Sequence, residues 1–322
     1  MTLEATQYQE CSDVLDYTAE LAITAGEVTQ LADGRAGVPS SDIAAAVLGA
    51  MVTEGIFIVA KTANIYFIDG APVYWDHSAN AAYFKSVSDR DFFIGTAVGD
   101  AAAAATTMKV DLNVAPVYKI DLARDPYLTA PVGTQALGGF LPPAREGGAI
   151  AFKLTATSEA QKADALSVER LAPGSNMIVE GAFRMPNGGS GSASDFSIGL
   201  ANATHATDAD SITDSIFLHM DGGSTAIKAE CDDGTNETAA TDTTLTFTAG
   251  TAMSNQVHFA IDCRDLSSIK FYINGARVLS GTTFSVAAMT NALGLLVHLE
   301  KTTGTETADM TIDYLRVRTA QK

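Results

Sequence analysis

Basic side chains are what this sequence is shortest of. Its 322 residues hold 20 Lys and Arg against 38 Asp and Glu, a formal net charge of −18. Both parts share the deficit: residues 1–118 carry 15 acids and 5 bases, and residues 119–322 carry 23 and 15. No basic patch exists to meet a phosphate backbone, which excludes direct binding of nucleic acid. An acidic exterior instead suits solubility at high local concentration, or docking onto a more basic surface. Cysteine is nearly missing as well. Cys11, Cys231 and Cys263 are an odd number, far apart and without a C-x-x-C pair. That excludes a disulfide framework and a cysteine-built zinc site, and predicts buried, reduced thiols made in a cytosol. No stretch approaches the ~20 apolar residues of a membrane helix. The opening Met1-Thr-Leu-Glu-Ala-Thr-Gln lacks the basic and apolar segments of a signal peptide. A membrane partner and signal-directed export are not expected.

Catalytic signatures are missing too. There is no G-x-x-x-x-G-K-[ST] phosphate loop and no G-x-S-x-G elbow, so neither nucleotide nor hydrolase chemistry has a motif behind it. Helical periodicity is hard to find. What the chain does contain is many short β-branched and aromatic runs separated by Gly, Asp and Asn, which predicts an all-β protein.

The stretch 55–76 shows the pattern best. Phe57 and Val59 alternate with their neighbours at the strand period of two. Ile65-Tyr66-Phe67-Ile68 reads as a second strand closed by Asp69-Gly70, and Val73-Tyr74-Trp75 as a third, with the sole tryptophan. Residues 1–16 are weakly patterned and suit an arm. Residues 17–28 carry Leu21 and Ile23 at strand spacing. Ser40 or Ser41 is placed to cap a short helix over 42–48, unless that segment is a loop leading into a strand. Residues 100–107 suit a loop or short helix. Met108 to Val114 alternates cleanly and closes the first domain.

Two domains follow from composition, 1–118 and 149–322, with a linker over 119–148. The linker carries Pro126, Pro131, Pro142 and Pro143 with Gly133, Gly138, Gly139, Gly147 and Gly148. Beyond it, strands are expected at 150–155, 165–171, 177–185, 195–200, 215–220, 226–231, 243–247, 256–262, 269–273, 276–279, 292–299 and 308–318. Asn274-Gly275 is the strongest hairpin signal. A dozen short strands with such turns make a sandwich.

Candidate sites are few. Asp208, Asp210 and Asp214, with Asp232 and Asp233 nearby in sequence, are candidate oxygen ligands for calcium. The plain reading is that Asp bonds its own backbone in surface turns. His219, His258 and His298 fall in three expected strands. They either converge on a metal or fill a sheet face. Glu230-Cys231-Asp232-Asp233 does not complete the paired-carboxylate pattern E-x-D-x-x-E of sandwich glycosidases, so no catalytic residue is named. Asn202-Ala-Thr204 and Asn236-Glu-Thr238 fit a glycosylation pattern, which without secretion marks only polar loops.

Two sets of residues carry resemblances. The first is Leu15-Asp-Tyr-Thr, Ile23-Thr-Ala-Gly-Glu-Val, Gly37-Val-Pro, Gly55-Ile-Phe-Ile-Val-Ala-Lys, Gly70-Ala-Pro-Val-Tyr-Trp-Asp, Ile94-Gly-Thr-Ala-Val and Val110-Asp-Leu-Asn-Val. In these the first domain resembles a family of phage capsid decoration, or head-stabilising, proteins. The second is Val257-His-Phe-Ala-Ile-Asp262, Ile269-Lys-Phe-Tyr-Ile-Asn-Gly-Ala-Arg-Val278 and Met310-Thr-Ile-Asp-Tyr-Leu-Arg-Val317. Here the chain resembles a concanavalin-like or laminin-G-like jelly roll.

The first resemblance implies a small β-rich module on the outer face of a virion head. Its partner would be the major capsid protein, and it would often be a trimer. The chain would be made in the host cytoplasm. Thr2, Leu3 and Tyr8 are candidate capsid contacts if the first residues add as a strand to a shell subunit. The second resemblance implies a sandwich that projects outward and could take a glycan. A glycan-binding adhesion module is the alternative function, and a polysaccharide-degrading enzyme a remoter one.

Overall fold

The computed structural model describes residues 4–320, except 10–13, 123–126, 134–136, 142–148, 192 and 207. Among the described residues there is no α-helix, only strands and two short 3-10 turns, Ala209–Ser211 and Met253–Asn255. The chain divides into two compact units: Met1–Val117 with Asn274–Ala276, and Tyr118–Ile273 with Arg277–Lys322.

The first unit contains β1 (Ala5–Gln9), β2 (Val14–Thr18), β3 (Thr29–Gln30), β4 (Ala36–Pro39), β5 (Leu48–Val52), β6 (Ile56–Ala60), β7 (Pro72–Asp76), β8 (Ala81–Tyr83), β9 (Phe92–Ala97) and β10 (Thr107–Leu112). They form a six-stranded sheet, β1-β6-β10-β9-β7-β8, and a four-stranded one, β2-β5-β4-β3. The period of two read from the sequence holds in β6 and β7. Phe57, Val59, Val73 and Trp75 turn into one core with Ile94, Met108 and Val110, and alternate residues are half-buried.

Four expectations change here. Residues 5–9 and 14–18 form no arm: β1 pairs with β6, Ala5 opposite Val59, and β2 pairs with β5. Beyond β2, the strand expected over 17–28 reduces to one bridge, Ile23 to Ile43. Ile65 to Ile68 is not a strand, although Ile65, Phe67 and Ile68 are buried. The cause lies in Lys61, whose Nζ donates to the carbonyls of Thr62 (3.0 Å), Ile65 (2.6 Å) and Ala103 (3.3 Å). Those carbonyls face an ammonium group, and only Phe67 bridges across, to Ala101. Residues 42–48 are not helical. Asp42 Oδ1 accepts from Ala25 N at 2.8 Å, Ile43 bridges Ile23, and Ala46 sits at a left-handed φ of 59°. Such a φ ends a helix in an L-residue.

The second unit contains β11 (Ile120–Asp121), β12 (Leu137–Leu141), β13 (Ala149–Leu154), β14 (Gln161–Leu166), β15 (Met177–Asn187), β16 (Ser194–Ala201), β17 (Ser215–Asp221), β18 (Ala226–Asp232), β19 (Glu237–Thr246), β20 (Val257–Cys263), β21 (Lys270–Ile273), β22 (Ala276–Val278), β23 (Gly294–Lys301) and β24 (Ala308–Thr319). The larger sheet has eight strands, β12-β13-β24-β15-β20-β21-β22 with β11 on β24; the smaller has six, β14-β23-β16-β17-β18-β19. Their inner faces share one core, from Phe152, Phe183 and Phe259 on one side to Phe196, Leu218 and Val297 on the other. All pairings are antiparallel. This is an antiparallel β-sandwich, two sheets packed around one core.

The stretch read as a linker supplies strands to this sandwich: Ile120 lies opposite Val317, and Leu137 opposite Lys153. Of its prolines, Pro131 is among the described residues and lies outside the strands, where no ladder donor is needed. Asn274 and Gly275 take φ of 50° and 77°, as the hairpin signal requires.

Candidate functional site

Strand alternation places a polar row on the outer face of the smaller sheet. Inward go Phe196 and Ile198 of β16, Leu218 and Met220 of β17, Ile227 and Ala229 of β18, and Val297 and Leu299 of β23. Their neighbours must point outward. The registers then align Asp164, His298, Ser197, His219 and Lys228 across five strands. The next row is Lys162, Glu300, Asp195 and Asp221. On the other side the outward residues are apolar. Leu166, Phe217 and Leu296 pack with Ala209 and Ile212 from the connection between β16 and β17, so this loop covers that end of the face.

The loop carries Asp210 to His219. Asp208 caps its 3-10 turn, accepting from Asp210 N at 3.1 Å and Ser211 Oγ at 2.7 Å. His219 Nδ1 lies 3.3 Å from Asp210 Oδ1, 3.4 Å from Glu230 Oε1 and 3.3 Å from Ser197 Oγ. Its Nε2 is 2.8 Å from Asp221 Oδ1, and Lys228 Nζ donates to Asp221 Oδ2. Burial works against a charged His219, but the carboxylates of Asp210 and Glu230 outweigh it, and the pKa is pushed up to about 11. Burial raises Glu230 above the usual carboxylate range, against the pull of His219. Burial also pushes Asp195 up to about 6, aided by the charges of Glu300 and Asp221 and opposed by His219.

Two strands along, His298 forms a second cluster. Its Nδ1 is 3.2 Å from Asp164 Oδ2 and its Nε2 2.6 Å from Glu300 Oε2. Asp164 also accepts from Thr129 Oγ1 and pairs with Lys162 at 3.1 Å. Asp164, His298, Glu300 and Lys162 are all buried. His298 is raised above the usual histidine range because Asp164 and Glu300 overcome its burial.

Most of the expected calcium ligands bond other groups, although Asp210 and Asp232 line one small cleft. Asp208 caps its turn. Asp214 accepts from Asn202 Nδ2 at 3.0 Å and from Asn291 Nδ2. Asp232 closes the turn at Gly234 N, and Asp233 takes Thr235, Asn236 and Ala288 backbone donors. Only Asp210 enters a group of metal-competent side chains. The histidines do not converge either. His219 and His298 are separated by β16, and His258, 3.1 Å from Tyr314 Oη, stands on the larger sheet. Cys231 and Cys263 are free and buried, as expected, and burial raises both thiols. Cys11 lies outside the described residues.

In the first unit, a cleft of about 460 Å³ is lined by Arg35, Glu54, Asp111 and Asn113 among others. Asn113 closes it off as a clamp, its amide bonding Ala36 N and the carbonyls of Ala36 and Thr53 at 2.8–2.9 Å. The β2–β5 ladder leaves Leu21, Val47 and Leu48 exposed at one end. Thr2 and Leu3 lie outside the described residues. Tyr8 belongs to β1, with its side chain outside the described part.

Sequence reading missed the polar row. Each strand supplies only one or two of its members. The available signal was repetition: Asp195-x-Ser197, His219-x-Asp221, Lys228-x-Glu230 and His298-x-Glu300 all put polar groups on outward positions of apolar strands.

Comparison with known proteins bears on both units. Residues 9–112 match the phage cement protein family. No curated protein matches the chain. Similar solved structures include the laminarinase catalytic domain from Thermotoga maritima (TM-score 0.40, 12% identity, 57% of this chain and 81% of that one). Others are a carbohydrate binding module from Bacillus subtilis (0.33, 11%, 57% and 94%) and LamAcat from Zobellia galactanivorans (0.36, 14%, 53% and 77%). Over residues 147–313, just over half its length, the sequence matches a further family model, and the chain belongs to the SO2946-like C-terminal domain family.

Proposed function

We propose that this chain is a decoration, or cement, protein that binds the outside of an assembled phage head and stabilises it. The observation that carries the reading is the match of residues 9–112 to the phage cement protein family. The first unit is the docking part, with the major capsid protein as its partner. Leu21, Val47 and Leu48 offer it exposed apolar area, and Thr2, Leu3 and Tyr8 are further contact candidates. The mechanism is mechanical. Each copy bridges neighbouring shell subunits, and many modest contacts repeated by symmetry raise the cost of pulling subunits apart. Trimers suit the threefold positions of such shells. The second unit projects outward, and no covalent bond is made or broken.

A second reading gives the sandwich a glycan ligand. It is favoured by Tyr127, an exposed aromatic ring beside β14 whose carbonyl accepts from Leu166 N at 3.0 Å. Silence of the full chain on a glycan array counts against it. For the main reading, heads with and without the chain are heated and their rupture temperatures compared. Decorated heads are expected to rupture at a higher temperature; equal rupture temperatures with the chain bound would remove the stabilising role.

A further inference from the structure

We propose that Asp210, His219 and Glu230 form a binding site for one divalent transition-metal ion of the zinc class on the outer face of the smaller sheet. The three side chains bring one imidazole nitrogen and two carboxylate oxygens within 4.8 Å of one another. Glu230 is 7% exposed, and its Oε1 has no hydrogen-bond partner. A buried carboxylate oxygen that makes no hydrogen bond, 3.4 Å from a ring nitrogen and beside a second carboxylate, is balanced by the charged imidazole alone or by a metal ion that replaces its Nδ1 proton.

The distances favour a metal over a simple hydrogen-bonded cluster. Nδ1 is 3.3 Å from Asp210 Oδ1 and 3.4 Å from Glu230 Oε1, longer than ordinary N–H···O bonds. One N–H cannot serve both oxygens. In a tetrahedral site with bonds of roughly 2.0–2.1 Å, the ligand atoms themselves stand about 3.3–3.4 Å apart. The second ring nitrogen is held as zinc-type sites hold theirs. Nε2 faces Asp221 Oδ1 at 2.8 Å, and Lys228 fixes that carboxylate. This sets the ring's orientation, and an ion bound at Nδ1 takes the place of the proton that the charged ring carries there. The nitrogen donor disfavours calcium, which takes oxygen ligands. A cleft of about 50 Å³, lined by Asp210, Glu230, Asp232 and Thr238 among others, supplies the way in. Water takes the fourth position.

The test uses the full chain stripped with a chelator and titrated with cobalt(II) alone, read by visible d–d absorption. The expected result is one ion per chain with a four-coordinate spectrum, displaced by zinc and not by equal calcium. Asp210→Asn, on the exposed loop, leaves the sheet intact and should weaken binding 100-fold or more, as should His219→Ala and Glu230→Gln. Asp221→Asn should cost 10- to 100-fold. His258→Ala should change nothing. Circular dichroism checks that each variant is folded. Absence of the spectrum, or an unchanged affinity in Asp210→Asn, overturns the site. The readout involves no phage shell, so its failure leaves the decoration reading standing.

Discussion

In the first unit, β6 and β7 bury every second residue and leave the others half-exposed. In the second, β14 is buried along its whole length and so is β23. The difference lies in the second face of each sheet. An open face can carry whatever the sequence puts there, and elsewhere in the same unit Leu21 and Leu48 stand bare. A covered face that carries ionisable groups must pair every one of them. The Asp164–His298–Glu300 row satisfies that demand, and its geometry is therefore fixed. One unit leaves apolar side chains bare, and the other is closed around its own charges.

The sharpest way to break the comparison is His298→Leu. It strands two buried carboxylates, and the expected loss is about 3–5 kcal/mol of unfolding free energy. Urea melts followed by circular dichroism measure it. Trp75 fluorescence follows the first unit and should shift far less.

Next come the two buried lysines, one in each unit. Lys301 donates to the carbonyls of Thr155, Thr157 and Glu306, as Lys61 does to its three. Either change to Met orphans carbonyl groups. The expected cost is about 2–3 kcal/mol for each lysine. Thermal melts of both variants measure it.

A smaller effect comes with pH. The folded pKa of His298 lies above its unfolded value, among Asp164, Glu300 and Lys162. Its contribution is therefore complete below the unfolded pKa of about 6.5 and fades as pH rises through the folded value. Urea midpoints of the second unit should fall from neutral into alkaline pH. A midpoint that rises there would contradict the pairing.

The smallest change in stability belongs to the open face. Leu48→Asp should alter stability by less than about 0.5 kcal/mol. Its effect should appear instead as weaker attachment to heads, measured by sedimentation.

Much of the fold was legible. Phe57, Val59, Val73 and Trp75 announce their strands because each lies in an alternating run with one buried face. Asn274-Gly275 fixed its hairpin locally. What stayed hidden depends on partners distant in sequence. Ile65 to Ile68 reads as a strand, yet a lysine ammonium captures the nearby carbonyls. Residues 42–48 read equally as a short helix or as a loop into a strand, and the pairing of Ile43 with Ile23 decides for the loop. The site was hidden in the same way. Asp210 belongs with His219 and Glu230, not with Asp208 and Asp214, because a loop folds across a sheet face. Spacing along the chain carries no trace of that fold-over.

The attachment of this chain to a virion is tested most directly by mixing the purified full chain with assembled heads that lack it and sedimenting the mixture. The expected result is saturable binding at a fixed number of copies per head, weakened in Leu48→Asp. Heads that sediment bare in excess chain would contradict it.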